Sequence, residues 1–300
     1  MSRTLVLKAR AKINLGLSVI GPRADGFHQL ETVMQQISLH DTLLFEPCTA
    51  GNTCTLLCSK PEIDGPGNLV SRAAELLKEQ VRAKLPGVRV TLYKNIPVAA
   101  GLAGGSSDAA AALTGLNQYW QLGLSSERLI ELAEKLGSDV PFCLSGGTAL
   151  ARGRGEQLEQ LPLLPFFWVV LALPRGVEFS TVEAYRKFDR SQLGKPDLTP
   201  LVQAVKNRSR ADIAGWLKNS FTNTLETAFL PGSGIVKAFK ESLQLYGLNP
   251  VFSGSGPTLF MLTESYAAAG SIARVVEELG GISYLCWTSG ENHLTGESGD

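Results

Sequence analysis

A glycine-rich loop directly before an alanine run is the stretch of this 300-residue chain that most clearly suits chemistry. The segment AAGLAGGSSDAAAA spans residues 99–112, and its alanines favour a helix. Glycines allow close approach to the backbone, and a helix start offers unpaired N–H groups and the positive end of the dipole. The loop therefore predicts a phosphate site, with an ordinary turn and helix cap as the alternative. Ser106 or Ser107 is the predicted N-cap.

The segment does not match the sequence motifs of the common nucleotide-binding loops. No Gly-Lys-Ser/Thr follows it, as a Walker A loop requires, and it lacks the dinucleotide pattern G-x-G-x-x-G. The protein-kinase signatures are also missing. A nucleotide would therefore be held by another kind of loop, and a dinucleotide-dependent dehydrogenase is disfavoured.

The elements around the loop can be predicted from periodicity. Val88, Val90 and Leu92 alternate with polar residues, which indicates a strand that stops before Pro97. The glycine loop thus joins a strand to a helix. Residues 68–85 show a helical pattern of apolar positions, and residues 126–137 predict a second helix that ends at Gly137.

A second alternating stretch, AKINLGLSVIG, lies near the N-terminus. Its period of two predicts a strand with one buried and one solvated face. The buried face would carry Ile13, Leu15, Leu17 and Val19. The other face would carry Lys12, Asn14, Gly16 and Ser18, so Lys12 and Asn14 would project together.

The later half of the chain alternates helices with short strands. The apolar run at 166–173 has the length of a buried strand, and SGSGPTLFML at 253–262 reads as a glycine turn entering a strand. A helix near SIARVVEELG precedes the strand ISYLCW, and the polar tail is expected to be disordered. These patterns predict an α+β protein of two domains, residues 1–158 and 159–300.

Composition narrows the classes of protein. The chain has 28 Lys and Arg, 28 Asp and Glu, and no basic stripe, which argues against a nucleic-acid partner. No apolar run reaches the ~18 to 20 residues of a membrane helix, and no secretory signal is found. Five cysteines without framework spacing suggest reduced thiols and a cytoplasmic protein. With only three scattered histidines, a zinc site is disfavoured.

Three segments together resemble the GHMP kinases, a family that includes galactokinase, homoserine kinase and mevalonate kinase. They are AKINLGLSVIGPRADGFHQLET, NIPVAAGLAGGSSDAAAAL and LGSDVPFCLSGGTALARGRGE, and VFSGSGPTLF fits the family's C-terminal glycine turn. The first and third segments are most similar to the branch that phosphorylates 4-diphosphocytidyl-2-C-methyl-D-erythritol in the non-mevalonate isoprenoid pathway. The resemblance implies a two-domain α+β fold with the active site in the cleft between the domains.

The resemblance also implies a role for each matching residue. Transfer of the γ-phosphoryl group of ATP to the 2-hydroxyl of the acceptor would use Lys12 and Asp139 as the catalytic pair, with Asn14 beside the accepting diol. Asp139 would take the hydroxyl proton, and the Lys12 ammonium would favour its charged form. The ATP phosphates would lie on the loop formed by Pro97, Val98, Ala99, Ala100, Gly101, Leu102, Ala103, Gly104, Gly105, Ser106 and Ser107.

The acceptor's cytosine would be read by a turn near the N-terminus. His28 would bond the base edge and Phe27 would stack on the ring, with Tyr185 as the candidate for its opposite face. Mg²⁺ would accompany ATP with few protein ligands, Ser107 being the candidate. A monomer or a homodimer would serve this reaction. From the residues alone, Asp139 reads as a turn or helix cap and Lys12 as a surface lysine.

The chain departs from the family pattern at three positions. Phe27 replaces a usual Tyr, Ser138 replaces an Ala, and Ala103 replaces a Gly in the loop. If position 103 needs a positive φ, alanine would cost about 1 kcal/mol there. The alternatives are another small-alcohol kinase of the family, of mevalonate or homoserine type, and a non-catalytic binding protein with the same fold.

Overall fold

A computed structural model describes residues 4–49, 54–81, 84–177, 197–229 and 234–290, with the side chains of 227–229 excepted. The prediction for Tyr185 and that for the last ten residues lie outside these ranges. Among the described residues, every helix is too short or too polar to cross a membrane.

The N-terminal part of the chain forms a six-stranded sheet. Two long antiparallel strands, β1 and β2, dominate it, and β1 pairs along the length of β2. The other edge of β2 pairs with β5 near its start and with β4 near its end, both antiparallel. The outer strands are β3, parallel to β4, and β6, antiparallel to β5. The strands are β1 Leu5–Pro22, β2 His28–Pro47, β3 Cys54–Cys58, β4 Val88–Tyr93, β5 Thr148–Arg152 and β6 Gln157–Leu161.

Four helices contribute to the core that this sheet builds. A short 3₁₀ turn, Pro61–Ile63, precedes them. Phe45, Leu77 and Leu113 are fully buried in the shared core, which explains why each of these helices carries an apolar face. The helices are α1 Leu69–Lys78, α2 Gly104–Tyr119, α3 Ser126–Leu136 and α4 Val140–Ser145.

Helix α1 is shorter than its sequence pattern suggests. It was expected over residues 68–85, but Asn68 is its N-cap, accepting from the Val70 N–H, and it ends at Lys78. The buried residues of α1 stop at Leu77, and residues 79–80 form a turn instead of continuing the helix. Residues 84–87 lead into β4 without helix.

The C-terminal part forms a four-stranded antiparallel sheet in the order β10-β7-β9-β8. Its core joins β7 to two helices through Val170, Phe239 and Val276. The strands are β7 Trp168–Leu173, β8 Val251–Phe252, β9 Leu259–Thr263 and β10 Ile282–Trp287. The helices are α5 Thr199–Lys206, α6 Arg210–Asn219, α7 Thr224–Phe229, α8 Gly234–Leu245 and α9 Tyr266–Glu278.

A third core packs the two parts of the chain together. It contains Ile13 from β1, Leu171 from β7 and Leu201 from α5, all fully buried. The predicted domain boundary at 158/159 falls inside β6, which pairs with β5 of the first sheet. The exact division of the chain into domains stays a prediction.

The packing against β1 corrects one expectation from the sequence. Residues Ala9–Val19 are buried on both faces, so the side of β1 that carries Lys12 and Asn14 is not a solvated face. The pairing with β2 shifts register between Arg10 and Lys12 and again between Asn14 and Gly16. Such irregularities redirect side chains and recur next to functional sites.

Helix α2 lies so close to the sheet that one of its positions admits only glycine. A Cβ on Gly115 would lie 2.2 Å from Cζ of Phe45. We expect Gly115→Ala to lower the free energy of unfolding by about 1–3 kcal/mol, because the fully buried Phe45 ring must move. Urea denaturation measures this.

Gly215→Ala is the matched control, because Gly215 lies inside α6 with open space around its Cβ position. There alanine should stabilise the protein by up to about 1 kcal/mol through helix propensity alone. If both variants changed stability alike, the close contact between α2 and Phe45 would be contradicted.

Candidate active site

One cavity of about 1100 Å³ is lined by most of the residues that the sequence predicted for the site. Its walls come from β1, the β1–β2 turn, the glycine loop, the start of α4 and the glycine turn before β9. The predicted residues that line it are Lys12, Asn14, Phe27, His28, Pro97, Val98, Ala99, Ala100, Gly101, Leu102, Ala103, Gly104, Gly105, Ser106 and Asp139.

Lys12 and Asn14 form one end of a buried hydrogen-bond chain. The Lys12 Nζ donates to Asn14 Oδ1 at 2.7 Å, and Asn14 Nδ2 donates to Thr32 Oγ1 at 2.8 Å. Thr32 in turn donates to the carbonyl of Gly16 at 2.6 Å. Each donor in the chain has an acceptor, so the ammonium of Lys12 is held at a fixed place in the cavity wall.

Asp139 lies opposite this ammonium. Its Oδ2 is 3.6 Å from Lys12 Nζ, and its side chain is 32% exposed where that of Lys12 is 6% exposed. Asp139 occupies the N-cap position of α4, yet its side chain makes no capping hydrogen bond. The carboxylate is therefore directed to Lys12 and the cavity, which disagrees with its interpretation as a helix cap.

Gly254 leaves space for the side chains of Lys12 and Asn14. A Cβ on Gly254 would lie 3.1 Å from Asn14 Oδ1 and 3.4 Å from Lys12 Nζ, and its φ of +56° suits glycine. The glycine turn of the second sheet thus closes the cavity over Lys12 without a side chain.

The glycine loop ends at the start of α2, but not with the predicted cap. The helix begins at Gly104, and its N-cap is Ala103, which has no side chain able to accept a hydrogen bond. The prediction of Ser106 or Ser107 as N-cap is wrong. Because no side chain caps them, the first N–H groups of α2 stay available to an anion in the cavity.

The carbonyls of the loop, by contrast, are already bonded. The carbonyl of Ala100 accepts from Thr258 Oγ1 at 2.6 Å, and that of Gly101 accepts from Ser253 Oγ at 3.3 Å. The carbonyl of Leu102 accepts from the Lys12 N–H at 3.1 Å. Three successive peptide groups are therefore fixed from outside the loop.

Three alternate loop residues adopt the left-handed backbone region. Ala99, Gly101 and Ala103 have φ values of 53°, 76° and 56°. Ala103 therefore has the positive φ that the sequence analysis considered. The alanine that replaces a usual glycine there carries a conformational cost of about 1 kcal/mol. Gly101 has a second reason to be glycine, since a Cβ would lie 2.7 Å from the carbonyl oxygens of Ser253 and Gly256.

Ser107 does not face the cavity in this conformation. Its side chain is buried, and its hydroxyl donates to the carbonyl of Gly104 at 2.8 Å. Ser106, one residue earlier, lines the cavity instead. The role of Ser107 as a magnesium ligand stays a prediction.

Phe27 and His28 lie at the other end of the cavity, in the β1–β2 turn. Asp25 shapes this turn, since it accepts from the Phe27 N–H at 3.1 Å and pairs with Arg23 at 2.9 Å. The Phe27 ring is 49% exposed, and the guanidinium carbon of Arg154 lies 5.0 Å from its centroid. The sequence reasoning missed Arg154, which has no local signal beyond its charge.

Comparisons with known proteins identify the family of the chain. Residues 68–147 match the family model described as GHMP kinases N terminal domain. A 4-diphosphocytidyl-2-C-methyl-D-erythritol kinase from Pelotomaculum thermopropionicum is 48% identical over 275 residues, which cover 88% of this chain and 91% of the relative. The chain belongs to the 4-diphosphocytidyl-2-C-methyl-D-erythritol kinase family.

Solved structures extend this relationship to the fold. The crystal structure of a 4-(cytidine 5'-diphospho)-2C-methyl-D-erythritol kinase is 34% identical and superposes with a TM-score of 0.79, covering 95% of this chain and all of that one. A homoserine kinase from Cytophaga hutchinsonii superposes with a TM-score of 0.72 over 96% of this chain and 95% of its own, at 19% identity. The second likeness shows the shared GHMP kinase fold alone.

In this member of the 4-diphosphocytidyl-2-C-methyl-D-erythritol kinase family, a buried cluster of charges joins the two ends of the glycine loop. Lys94, at the end of β4, donates to Asp41 of β2 and, at 2.6 Å, to Asp108 of α2. Asp41 also accepts from the N–H groups of Asn95 and Ile96 at 2.5 and 2.8 Å. All three charged side chains are at most 3% exposed.

The sequence reasoning missed this cluster, although one signal was present. Asp108 precedes four alanines in a helix whose other neighbours are buried, and a carboxylate there needs a partner. The partner, Lys94, lies 14 residues earlier, beyond the whole loop. We refer to Lys94, Asp41 and Asp108 as the loop clamp.

Two carboxyls share one ammonium in the loop clamp, which changes the protonation of Asp108. Burial raises the pKa of Asp108 to about 8, against the attraction of Lys94, and the negative charge of Asp41 adds to the rise. The pKa of Lys94 is raised as well: burial alone would lower it, but the two carboxylates outweigh burial. Asp108 Oδ1 has no hydrogen-bond partner among the described residues.

The raised pKa predicts how stability depends on pH. The folded protein binds the Asp108 proton more tightly than the unfolded chain, whose ordinary Asp value is 3.8. The resulting stabilisation is complete below pH ~4 and is lost as pH rises toward ~8. Relative to Asp108→Asn, the unsubstituted protein should lose stability as pH rises from 5 to 8, by at most about 1 kcal/mol per pH unit, and the loss should then level off.

Urea denaturation of the two proteins at each pH from 5 to 9 measures this difference. Asparagine keeps the shape of the carboxyl group and cannot take up a proton, so packing contributes equally at every pH. A difference in unfolding free energy that stays constant from pH 5 to 8 would show that Asp108 is ionised throughout, contrary to this prediction.

Proposed function

We propose that the chain transfers the γ-phosphoryl group of ATP to the 2-hydroxyl of 4-diphosphocytidyl-2-C-methyl-D-erythritol. One observation carries the proposal: a lysine–carboxylate pair and an uncapped helix start face the same cavity. The relative from Pelotomaculum thermopropionicum, which is 48% identical to this chain, is named for the same acceptor, and its name supports the proposal.

The donor would lie along the glycine loop. The first N–H groups of α2 and the positive end of its dipole would hold the phosphates of ATP, with Gly104, Gly105 and Ser106 at the cavity wall. The bonds to the carbonyls of Ala100 and Gly101 support this assignment, because they hold the backbone that leads into the start of α2.

The transfer step needs a hydroxyl aligned with the γ-phosphorus and a group to take its proton. The hydroxyl oxygen bonds to phosphorus while the bond to the bridging oxygen breaks, and ADP leaves with that electron pair. Asp139 accepts the hydroxyl proton. The Lys12 ammonium, 3.6 Å from the carboxylate, stabilises negative charge on the reacting oxygens, and Asn14 orients the diol.

The acceptor's base would lie at the far end of the cavity. Phe27, half exposed, offers a face for stacking, and His28 lies beside it at the start of β2. Tyr185, the candidate for the opposite face, lies outside the described residues. A mevalonate- or homoserine-type kinase would have no use for this end of the cavity, and a non-catalytic binding protein would have no use for the Lys12–Asp139 pair.

The proposal also includes Mg²⁺ as a cofactor and the cytoplasm as the location of the enzyme. Mg²⁺ prefers phosphate oxygens and water, so it would be held chiefly by ATP, with the Ser106 hydroxyl as the loop group facing the cavity. We place the enzyme in the cytoplasm, where its five free cysteines would stay reduced. Whether it acts as a monomer or a homodimer, and its lack of a nucleic-acid partner, stay predictions.

Phosphorus NMR tests the proposal directly. ATP and the diphosphocytidyl alcohol should give ADP and a product with one additional phosphomonoester, and mevalonate or homoserine should give none. Hydrolysis of ATP without a phosphorylated product would favour the binding-protein alternative.

The proton acceptor is tested by Asp139→Asn, which keeps the shape and removes the charge. We expect kcat to fall about 10²- to 10⁴-fold, the usual contribution of a general base, while KM changes little for either substrate. Asp212→Asn is the control, because it removes an exposed carboxylate at the start of α6, away from the cavity.

Lys12→Ala should also lower kcat, and the double variant should be little slower than the slower single variant, since residues that act as a unit are not additive. Near-normal kcat in folded Asp139→Asn would show that the carboxylate is not the base, leaving Lys12 alone to activate the hydroxyl.

The phosphate site is tested best at Gly105. A Cβ there meets only Leu69 Cδ1, at 3.7 Å, so Gly105→Ala fits the fold and places a methyl group at the uncapped helix start. We expect KM for ATP to rise about tenfold, equivalent to about 1.4 kcal/mol, with KM for the acceptor unchanged. Gly104 is less suitable, since a Cβ there would lie 3.0 Å from Ile96 and 3.3 Å from Lys94 Nζ.

Gly270→Ala is the control for helix propensity, because Gly270 lies in α9 with open space around it and outside the cavity. Both alanines should keep or raise the melting temperature. An unchanged KM for ATP in Gly105→Ala would contradict the placement of the phosphates.

A further inference from the structure

Asn223 is a buried residue that joins the start of α7 to the glycine turn before β9. Its Nδ2 donates to the carbonyl of Gly254 at 2.7 Å and to that of Phe252 at 3.4 Å. Its Oδ1 accepts from the Leu225 N–H at 3.1 Å, as the side chain of an N-cap residue does. Both ends of the amide are therefore hydrogen-bonded, and the residue is only 6% exposed, so the orientation of the amide is fixed.

The backbone around Asn223 is bound to β1, the strand that carries Lys12 and Asn14. Asn223 forms an isolated bridge with Leu17 of this strand. The Leu17 N–H donates to the carbonyl of Thr222 at 2.8 Å. Asn223 therefore connects β1 with the glycine turn, because its backbone is bound to the strand and its side chain is bound to the turn.

The turn that Asn223 holds lies against the proposed reacting groups. Gly254 lines the cavity, and a Cβ on it would lie 3.1 Å from Asn14 Oδ1 and 3.4 Å from Lys12 Nζ. The same Cβ would lie 3.3 Å from the carbonyl oxygen of Gly101 in the glycine loop. A small rotation of the backbone at Gly254 would therefore be felt at the Lys12 ammonium.

The direction of the Gly254 carbonyl decides which charge the turn presents to Lys12. The hydrogen bond from Asn223 holds this oxygen in the buried interior. Without that donor the buried carbonyl would lose its hydrogen bond, which is costly, and glycine allows the peptide plane to rotate. The nearby Lys12 ammonium would attract the released oxygen, and its charge would then be drawn away from Asp139 and the cavity.

We propose that Asn223 is a positioning residue for phosphoryl transfer, which holds the Gly254 carbonyl away from Lys12 and so keeps the ammonium directed to the reacting oxygens. This rests on the proposed function, in which Lys12 stabilises negative charge in the transfer step. Asn223 does not line the cavity, so it acts through the turn. It should therefore affect the rate of transfer more than the binding of either substrate.

Two substitutions remove the donor and keep a group that can cap α7. Asn223→Asp keeps an oxygen for the Leu225 N–H and replaces the NH₂ group by a second oxygen. Asn223→Ser keeps a hydroxyl, a common N-cap, and removes the amide. We expect each substitution to lower kcat about 10- to 100-fold, because a small misplacement of a reacting group has an effect of this size. KM for ATP and for the diphosphocytidyl alcohol should stay within about threefold.

The pH dependence of the loss distinguishes positioning from a general structural defect. When the carboxyl group of Asn223→Asp takes up a proton, its O–H can donate to the Gly254 carbonyl again. Burial favours the neutral form of a carboxyl group. The kcat of Asn223→Asp, divided by that of the unsubstituted protein, should therefore recover as pH falls from 8 to 6. The same ratio for Asn223→Ser should not change with pH.

Ser265→Ala is the matched control for a loss of stability alone. Ser265 is the N-cap of α9, accepts from the Ala268 N–H at 3.3 Å and does not line the cavity. Its replacement removes a cap without any contact to the glycine turn. We expect a lower melting temperature, with kcat and both KM values unchanged.

The outcomes separate this inference from the proposed function. A kcat within about threefold of the unsubstituted value in folded Asn223→Asp and Asn223→Ser would overturn the role of Asn223. A loss that is the same at every pH in Asn223→Asp would also overturn it. Should Asn223→Asp not fold, the comparison of kcat with KM in Asn223→Ser decides. If the unsubstituted protein gave no phosphorylated product, the proposed function would be wrong, and the role of Asn223 with it.

Discussion

The loop clamp, in which the buried Lys94 ammonium binds the carboxyl groups of Asp41 and Asp108, is the constraint on which the cavity depends. It joins β2, β4 and α2 at a single ammonium, so both ends of the glycine loop are tied to the same point of the first sheet. A buried charge cluster is rarely a net source of stability, because desolvation offsets most of the attraction. Its value here is geometric, since it determines where the loop leaves the sheet and where α2 begins.

The second sheet completes the loop that the cluster anchors. Thr258 and Ser253 bond the loop carbonyls, and Gly254 lets the turn close over Lys12 and Asn14. Residues from both parts of the chain therefore line the cavity. The shared core around Ile13 and Leu171 packs these two parts against each other.

Much of this arrangement could be predicted from the sequence, and the failures have physical causes. The glycine loop, the strand at β4 and the common direction of Lys12 and Asn14 follow from local periodicity and propensity. The N-cap at Ala103, the buried second face of β1 and the loop clamp do not, because they depend on contacts between residues distant in sequence. Asp108 is the clearest example. The alanines that follow it in the sequence indicate that it is buried, but only the fold shows that Lys94 is its partner.

The hydrogen bonds to the carbonyls of Ala100, Gly101 and Leu102 have a consequence for the kind of ion that the loop can host. Rotation of a peptide plane would turn a carbonyl oxygen toward the cavity and convert an anion receptor into a cation receptor. Each such flip would break a bond to a hydroxyl or an N–H outside the loop. The direction of these carbonyls is thus set by Thr258, Ser253 and the backbone of Lys12, which all lie outside the loop, and a change at Ser253 or Thr258 would free a loop carbonyl to turn.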